Sequence, residues 1–208
     1  MNEPLVVTAP ADTPVSLAEV KAHLRVDDDT ENALVTAMIA GAVRTAEFYL
    51  GRSLITQTLR LALDRWPNET LAGADRPWAW DPRIIELARP PVQSIAGVTV
   101  YDEEDQATVV DSSVYRLANG SNARARLVLR QGQSWPSGGR ATDSIEIDYV
   151  AGYGDGGTDV PEPIRQGLLA LIAFWFEHRE GEAWTAALPS LPIGAASIWR
   201  PFRLMRLA

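Results

Sequence analysis

The strongest constraint in this chain is a change of period. Apolar residues repeat at helical spacing up to Leu50, alternate with polar ones between Leu54 and Val150, and return to helical spacing after the glycine-rich stretch GYGDGG at 152–157. A period of 3.6 makes a helix with one buried stripe, and a period of two makes a strand with one buried face. The order is therefore helix, helix, a block of strands, a long helix and an irregular end.

Local signals set the expected boundaries. Ser16 and Glu19 form a capping box, with Val15 and Val20 at the staple positions, and predict a short helix over 17–24. Asp28 and Glu31, spaced as a second box, open a longer helix. Its Leu34, Val35, Met38, Ile39, Val43, Ala46, Tyr49 and Leu50 make one apolar face, and Gly51 ends it. The pieces LITQTLRLAL, IIEL, VTVYD, ATVVD, VYRL, ARLVL and SIEIDYV read as strands. Parallel pairing needs long helical crossovers, which the sequence between them lacks, so the sheet is expected to be antiparallel. Residues 66–82 are too rich in Pro, Gly and polar side chains for a strand and read as a long loop. IRQGLLALIAFWFEHRE follows as the long helix, with Pro161 and Pro163 tolerated in its first turn and Gly181 at its end.

Helices flanking a block of antiparallel strands imply an α+β fold: a small helical bundle of two N-terminal helices plus the long C-terminal helix, an inserted antiparallel β lobe, and an extended C-terminal tail. The expected division is 1–53 for the N-terminal helices, 54–150 for the β lobe, 151–183 for the elbow and long helix, and 184–208 for a linker and docking tail.

Composition removes several function classes. With no cysteine, disulfides, iron–sulfur clusters and thiolate zinc sites are excluded. A net charge of −8 argues against broad nucleic-acid binding, which draws on clustered Lys and Arg. The N-terminus lacks a secretory pattern. The run LLALIAFWF at 168–176 falls far short of the roughly 20 residues that span a bilayer. A soluble protein with no membrane partner is expected. The acidic run at 27–31 lacks the Gly and terminal Glu of a calcium loop, and that at 102–105 reads as a solvated hairpin tip, so no metal site is expected. His23 and His178 fall near predicted helix C-termini, where a cationic side chain suits the dipole.

Two alternatives stay open. Gly152, Gly154 and Gly157 match G-x-G-x-x-G between a strand and a helix, the context of a nucleotide-binding enzyme domain. Against it, Asp155 and Asp159 would face the phosphates, two prolines remove donors from the helix start, and no second βαβ unit follows. Trp78, Trp80 and Trp135 lie in predicted loops, where they either stack on sugars or fold back over the sheet.

LLALIAFWF is apolar around its whole circumference, so Leu168, Leu169, Phe174, Trp175 and Phe176 are candidates for a subunit interface as well as for the core. The chain then ends in SIWRPFRLMRL, a basic, apolar segment on an acidic protein. Its Ile198, Trp199, Arg200, Pro201, Phe202, Arg203, Leu204, Met205 and Arg206 read as a docking tail, with Pro201 opening a two-turn helix. The competing reading folds the tail onto its own domain.

Taken together, SLAEVKAHLRVDDDTENALVTAMIAGAVRTAEFYLGRSLITQTL and IDYVAGYGDGGTDVPEPIRQGLLALIAFWFEHREG resemble the head-tail connector (adaptor) proteins of long-tailed phages and phage-derived gene transfer agents. The match includes Tyr149, Ala151, Gly152, Tyr153 and Gly154 of the elbow, Val160-Pro161, and the ending Arg200-Pro201-Phe202-Arg203. The resemblance implies a structural virion protein rather than an enzyme, with no cofactor. It implies a ring, twelve copies when assembled, in the neck of a particle made in the bacterial cytoplasm. That ring would sit between the portal, bound through the C-terminal tail, and a downstream neck or stopper protein, with DNA passing through the channel unbound.

Overall fold

The computed structural model describes residues 3–66, 81, 83–119, 124–137, 139–178 and 191–204. The chain divides into two compact units, residues 1–9 with 57–152 and residues 10–56 with 153–208.

Among the described residues the first unit has eight strands in two sheets. Strands β1 (Leu5–Thr8), β2 (Gln57–Leu63), β4 (Val92–Tyr101), β5 (Ala107–Val109) and β8 (Ile145–Ala151) form one sheet in the order β1-β2-β8-β4-β5. Strands β3 (Ile84–Glu86), β6 (Tyr115–Asn119) and β7 (Ala125–Leu129) form the second, ordered β3-β7-β6. Every pairing among these strands is antiparallel, as the missing crossovers required.

Alternation fixes the faces. Along β2 and β8, Leu59, Leu61, Ile145, Ile147, Tyr149 and Ala151 are buried, and Ile147 lies between Leu61 and Val98 of the flanking strands. The second sheet turns Ile85, Tyr115, Ala125, Leu127 and Leu129 into the same core. On the outer face Arg60 forks onto Asp148 at 2.7 Å and reaches Glu146 at 2.8 Å. The Tyr101 hydroxyl donates to Glu146 at 3.0 Å. The hydrogen bonds to Asp148, with the Asp148 and Glu146 charges, outweigh the opposing effect of desolvation, hold Arg60 in its charged form and raise its pKa.

β1 departs from expectation, because the first residues were assigned to the helical part. Three of its four residues are apolar, two of them β-branched, a composition that favours strand. It pairs with β2 in a register interrupted between Val6 and Thr8.

The second unit contains α1 (Leu17–Leu24), α2 (Asn32–Leu50), α3 (Glu162–Glu177) and α4 (Ile193–Trp199), the last running into a 3-10 turn at Arg200–Phe202. The capping box forms as expected: the Ser16 hydroxyl accepts from Glu19 N at 3.2 Å, and Glu19 accepts from Ser16 N at 2.8 Å. Val15 and Val20 are fully buried beside it. The second box does not form. Asp28 accepts instead from Thr30 N at 2.8 Å, an Asx turn that captures the carboxylate two residues on, and α2 starts at Asn32 without a side-chain cap.

Arg165 fastens α3 to the start of α1, donating to the Pro14 carbonyl at 3.0 Å and pairing with Glu162 and Glu19. Past Gly51 the buried Glu47 carboxylate accepts from Leu54 N at 2.9 Å and closes the turn. The core of this unit is filled by Val35, Ile39 and Leu50 of α2, Leu168, Leu171 and Ile172 of α3, and Trp199 of α4.

Candidate functional site

The glycine-rich loop is occupied by the chain's own carboxylate. Gly156 N donates to Asp159 Oδ2 at 3.0 Å, and a Cβ on Gly154 would collide with that same carboxylate. The backbone donor that a phosphate would need therefore already holds an anion, and Gly154 is required by close approach rather than by a ligand. Trp135 is buried and lies flat against Trp66, with ring centroids 4.2 Å apart and planes 7° apart. It offers no open face to a sugar. Trp78 and Trp80 lie outside the described residues.

His23 is exposed in the last turn of α1. His178 ends α3, its ring Nδ1 2.8 Å from the Phe174 carbonyl and its ring stacked on Phe174 at 4.4 Å. Both lie at the C-terminal ends of their helices. Among the described residues no group of three or more His, Cys, Asp or Glu is placed to hold a metal ion.

The C-terminal segment folds back onto its own unit through Leu204. Trp199 is fully buried; its indole N–H donates to the Ile164 carbonyl at 3.0 Å and its ring lies 6.1 Å from Tyr49. The indole occupies a slot that exists because residue 167 is glycine: a Cβ there would strike the ring. Further along, Arg52 donates to the Phe202 carbonyl at 2.6 Å, and Leu204 N donates to the Leu50 carbonyl at 3.0 Å. Arg203 lies over the Tyr49 ring at 5.0 Å.

Of the proposed tail residues, Trp199 belongs to the core, and Ile198, Phe202 and Leu204 are half-buried. Arg200, Pro201 and Arg203 are exposed, while Met205 and Arg206 lie outside the described residues. The helix precedes Pro201 instead of following it, because Pro192 starts α4 in the N-terminal position that suits a proline.

The interface candidates on α3 divide in the same way. Leu168 is fully buried, and Leu169, Trp175 and Phe176 are half-buried against the same core. Phe174 is half-buried beside His178. Part of the exposed apolar surface lies on α2, with Leu5 and Val7 of β1, Val109 and Ile193 exposed elsewhere. Phe48 is 84% exposed and Leu34 40%, with Ala33, Ala37, Ala40 and the charged Arg44 exposed on the same side of the helix. By length and composition α2 is apolar enough to cross a membrane, yet only 33% of that stretch is buried. The signal was present in the sequence: Leu34, Ala37, Ala40 and Phe48 follow helical spacing opposite Val35, Ile39, Ala42 and Ala46.

Comparisons with known proteins agree with one another. Residues 14–75, which span α1, α2 and β2, match the family described as Phage gp6-like head-tail connector protein. No curated protein matches the chain. Among solved structures, a chain in the neck of an empty GTA particle computed with C6 symmetry is 24% identical, with a TM-score of 0.79 over 100% of this chain and 98% of that one. Chains in the virion of a native gene transfer agent (GTA) particle and in the neck of the native GTA particle computed with C12 symmetry are 24% and 23% identical, with TM-scores of 0.77 and 0.76 over the same shares. Over its whole length the chain therefore has the mixed α+β fold of these gene transfer agent proteins, and over its first helices and strand β2 it carries the pattern of phage head-tail connectors.

Proposed function

We propose that this protein is a structural neck adaptor of a phage-like particle, assembling as a ring between the capsid portal and the downstream neck proteins and leaving a channel for DNA. The observation that carries this reading is the full-length match in fold to chains of particle necks built with cyclic symmetry. The exposed, largely apolar face of α2 supports it, because a closed ring needs each copy to cover such a face with a neighbour. Twelve copies is the number this reading expects. Electron microscopy of particles that carry the protein tests it: a ring at the portal vertex is expected, and particles with necks that lack this chain reject it.

The α2 face gives a sharper test. Phe48→Asp alters a side chain that contributes little to its own fold, so stability should change by no more than about 0.5 kcal/mol. Ring formation, followed by native mass spectrometry, should be lost. A ring that survives Phe48→Asp places the subunit contact elsewhere.

The tail retains a portal-facing role in a reduced form. Trp199 and Phe202 serve their own unit, and Arg200 and Arg203, with Arg206, remain for acidic groups on the portal. Exchanging all three for Glu is expected to leave the thermal midpoint nearly unchanged and to abolish attachment to portal-bearing heads. Normal attachment by that variant rejects the tail as the portal contact.

A further inference from the structure

Between Asp111 and Asp143 the chain carries Arg116, Arg124, Arg126, Arg130 and Arg140 and not one acidic residue. In a protein of net charge −8 this is a strong local reversal. The pairing of β6, β7 and β3 puts Arg116 and Arg126 on one surface. Arg116 lies opposite Val128, and Arg126 opposite both Ala118 and Glu86, so their side chains share the face of the three-stranded sheet that points away from Leu127 and the core.

Part of this charge is already used. Arg124 lies 3.3 Å from Glu86, and Arg130 donates to the Tyr115 carbonyl at 3.0 Å. Arg83 forks onto Asp81 at 2.9 and 2.7 Å, holding that carboxyl down to about 2. Two groups remain. Arg116 meets no acid among the described residues, and Arg126 has a buried Nε with no hydrogen-bond partner. Arg83, Arg116 and Arg130 line a cleft of about 500 Å³. An unsatisfied buried donor is costly, and its persistence on the arginine-bearing face of the sheet is what a site awaiting an acceptor requires.

The complementary group is on the same chain. The tip between β4 and β5 is Asp102, Glu103, Glu104 and Asp105. Asp102 accepts from Glu104 N and Gln106 N and so holds the turn, while Asp105 pairs with Arg140 at 3.0 Å. Glu103 and Glu104 are exposed, and neither carboxylate meets a cation among the described residues.

We propose that the arginine face of the β3-β7-β6 sheet binds the acidic β4-β5 tip of a second copy of this chain. The two surfaces are opposite in charge, and each has two groups left unused among the described residues. Arginine's planar fork suits carboxylates in particular. Because the two surfaces differ, the contact is heterologous, the type that propagates head to tail and closes into a ring. Exposed ion pairs are individually weak, so this contact sets the register and direction of assembly, while apolar burial supplies most of the affinity. The inference deepens the ring reading and rests on it.

The test uses the absence of native cysteine. One chain carries Glu104→Cys and Arg116→Cys and is treated, at high protein concentration, with a short bismaleimide, since the two replaced side chains together outreach a disulfide. A ladder extending beyond dimers is expected, with at most dimers from either single variant. A double variant that stays uncrosslinked overturns the proposal, as does one that stops at dimers, which would indicate a two-fold contact. Rings seen by microscopy without the ladder would leave the neck reading standing and reject only this contact. Charge reversal gives an independent arm. Glu104→Arg and Arg116→Glu should each weaken association about tenfold, and together in one chain should restore it. If Arg116→Glu instead removes binding of duplex DNA and the pair restores nothing, the arginine face serves nucleic acid and the proposal fails.

Discussion

Replacing Trp199 with alanine is expected to cost about 3–5 kcal/mol, the range for deleting a large buried aromatic. The ring is fully buried between α3 and Tyr49, in a slot left open by Gly167. Its N–H is matched to the Ile164 carbonyl at 3.0 Å. Because a domain holds only about 5–15 kcal/mol in total, this loss is a large part of the stability of the helical unit. The denaturant midpoint should fall with its slope unchanged, and α4 should become the first site of proteolysis. Trp199→Phe separates the contributions: it keeps most of the packing and loses the hydrogen bond, worth about 1 kcal/mol.

The same result decides what the tail is for. A segment that served only as an anchor could be removed, as residues 196–208, without loss of the fold. With Trp199 in the core, that truncation should destabilise at least as much as Trp199→Ala. Exchanging the three tail arginines should not. If Trp199→Ala proves neutral, the segment is not seated on its own unit, and its aromatic residues are again available to a portal.

What could be read from the sequence depended on range. The box at Ser16 and Glu19, the cap at Gly51 and the alternation in β2 and β8 are local patterns, and they appear in the structure where the residues put them. Asp28 misled because an Asx turn to Thr30 competes with capping within the same few residues. The separation into two sheets was out of reach, since β2 pairs with β8 across a distance in sequence such as Arg60 to Asp148. β1 has all four residues exposed, so it lacks the alternation that marks a half-buried strand. At the C-terminus, Pro192 and Gly194 have the composition of helix breakers, whereas Pro192 begins α4 and Gly194 faces open space. The likeness of Trp199 to a free anchor came from its arginine neighbours. Its burial depends on Gly167, more than thirty residues earlier, and no local pattern reports that.

Trp66→Ala is expected to have a comparable effect on the sheet unit, again about 3–5 kcal/mol. Trp66 follows β2, is 4% exposed, and donates its indole N–H to the Pro136 carbonyl at 2.9 Å while stacking on Trp135. That one side chain ties the end of β2 to the segment around 135 by packing, stacking and a hydrogen bond. Trp135→Ala should cost less, because it leaves the bond to Pro136 possible. The double variant should cost less than the sum, by about 0.5–1.5 kcal/mol, since each single change already destroys the stack. Strict additivity would mean the parallel rings contribute only their separate burial. Glycan arrays probed with the wild-type protein complete the argument: Trp135 presents no free face, so binding that disappears in Trp135→Ala at unchanged stability would contradict the stacked arrangement and return this tryptophan to the surface.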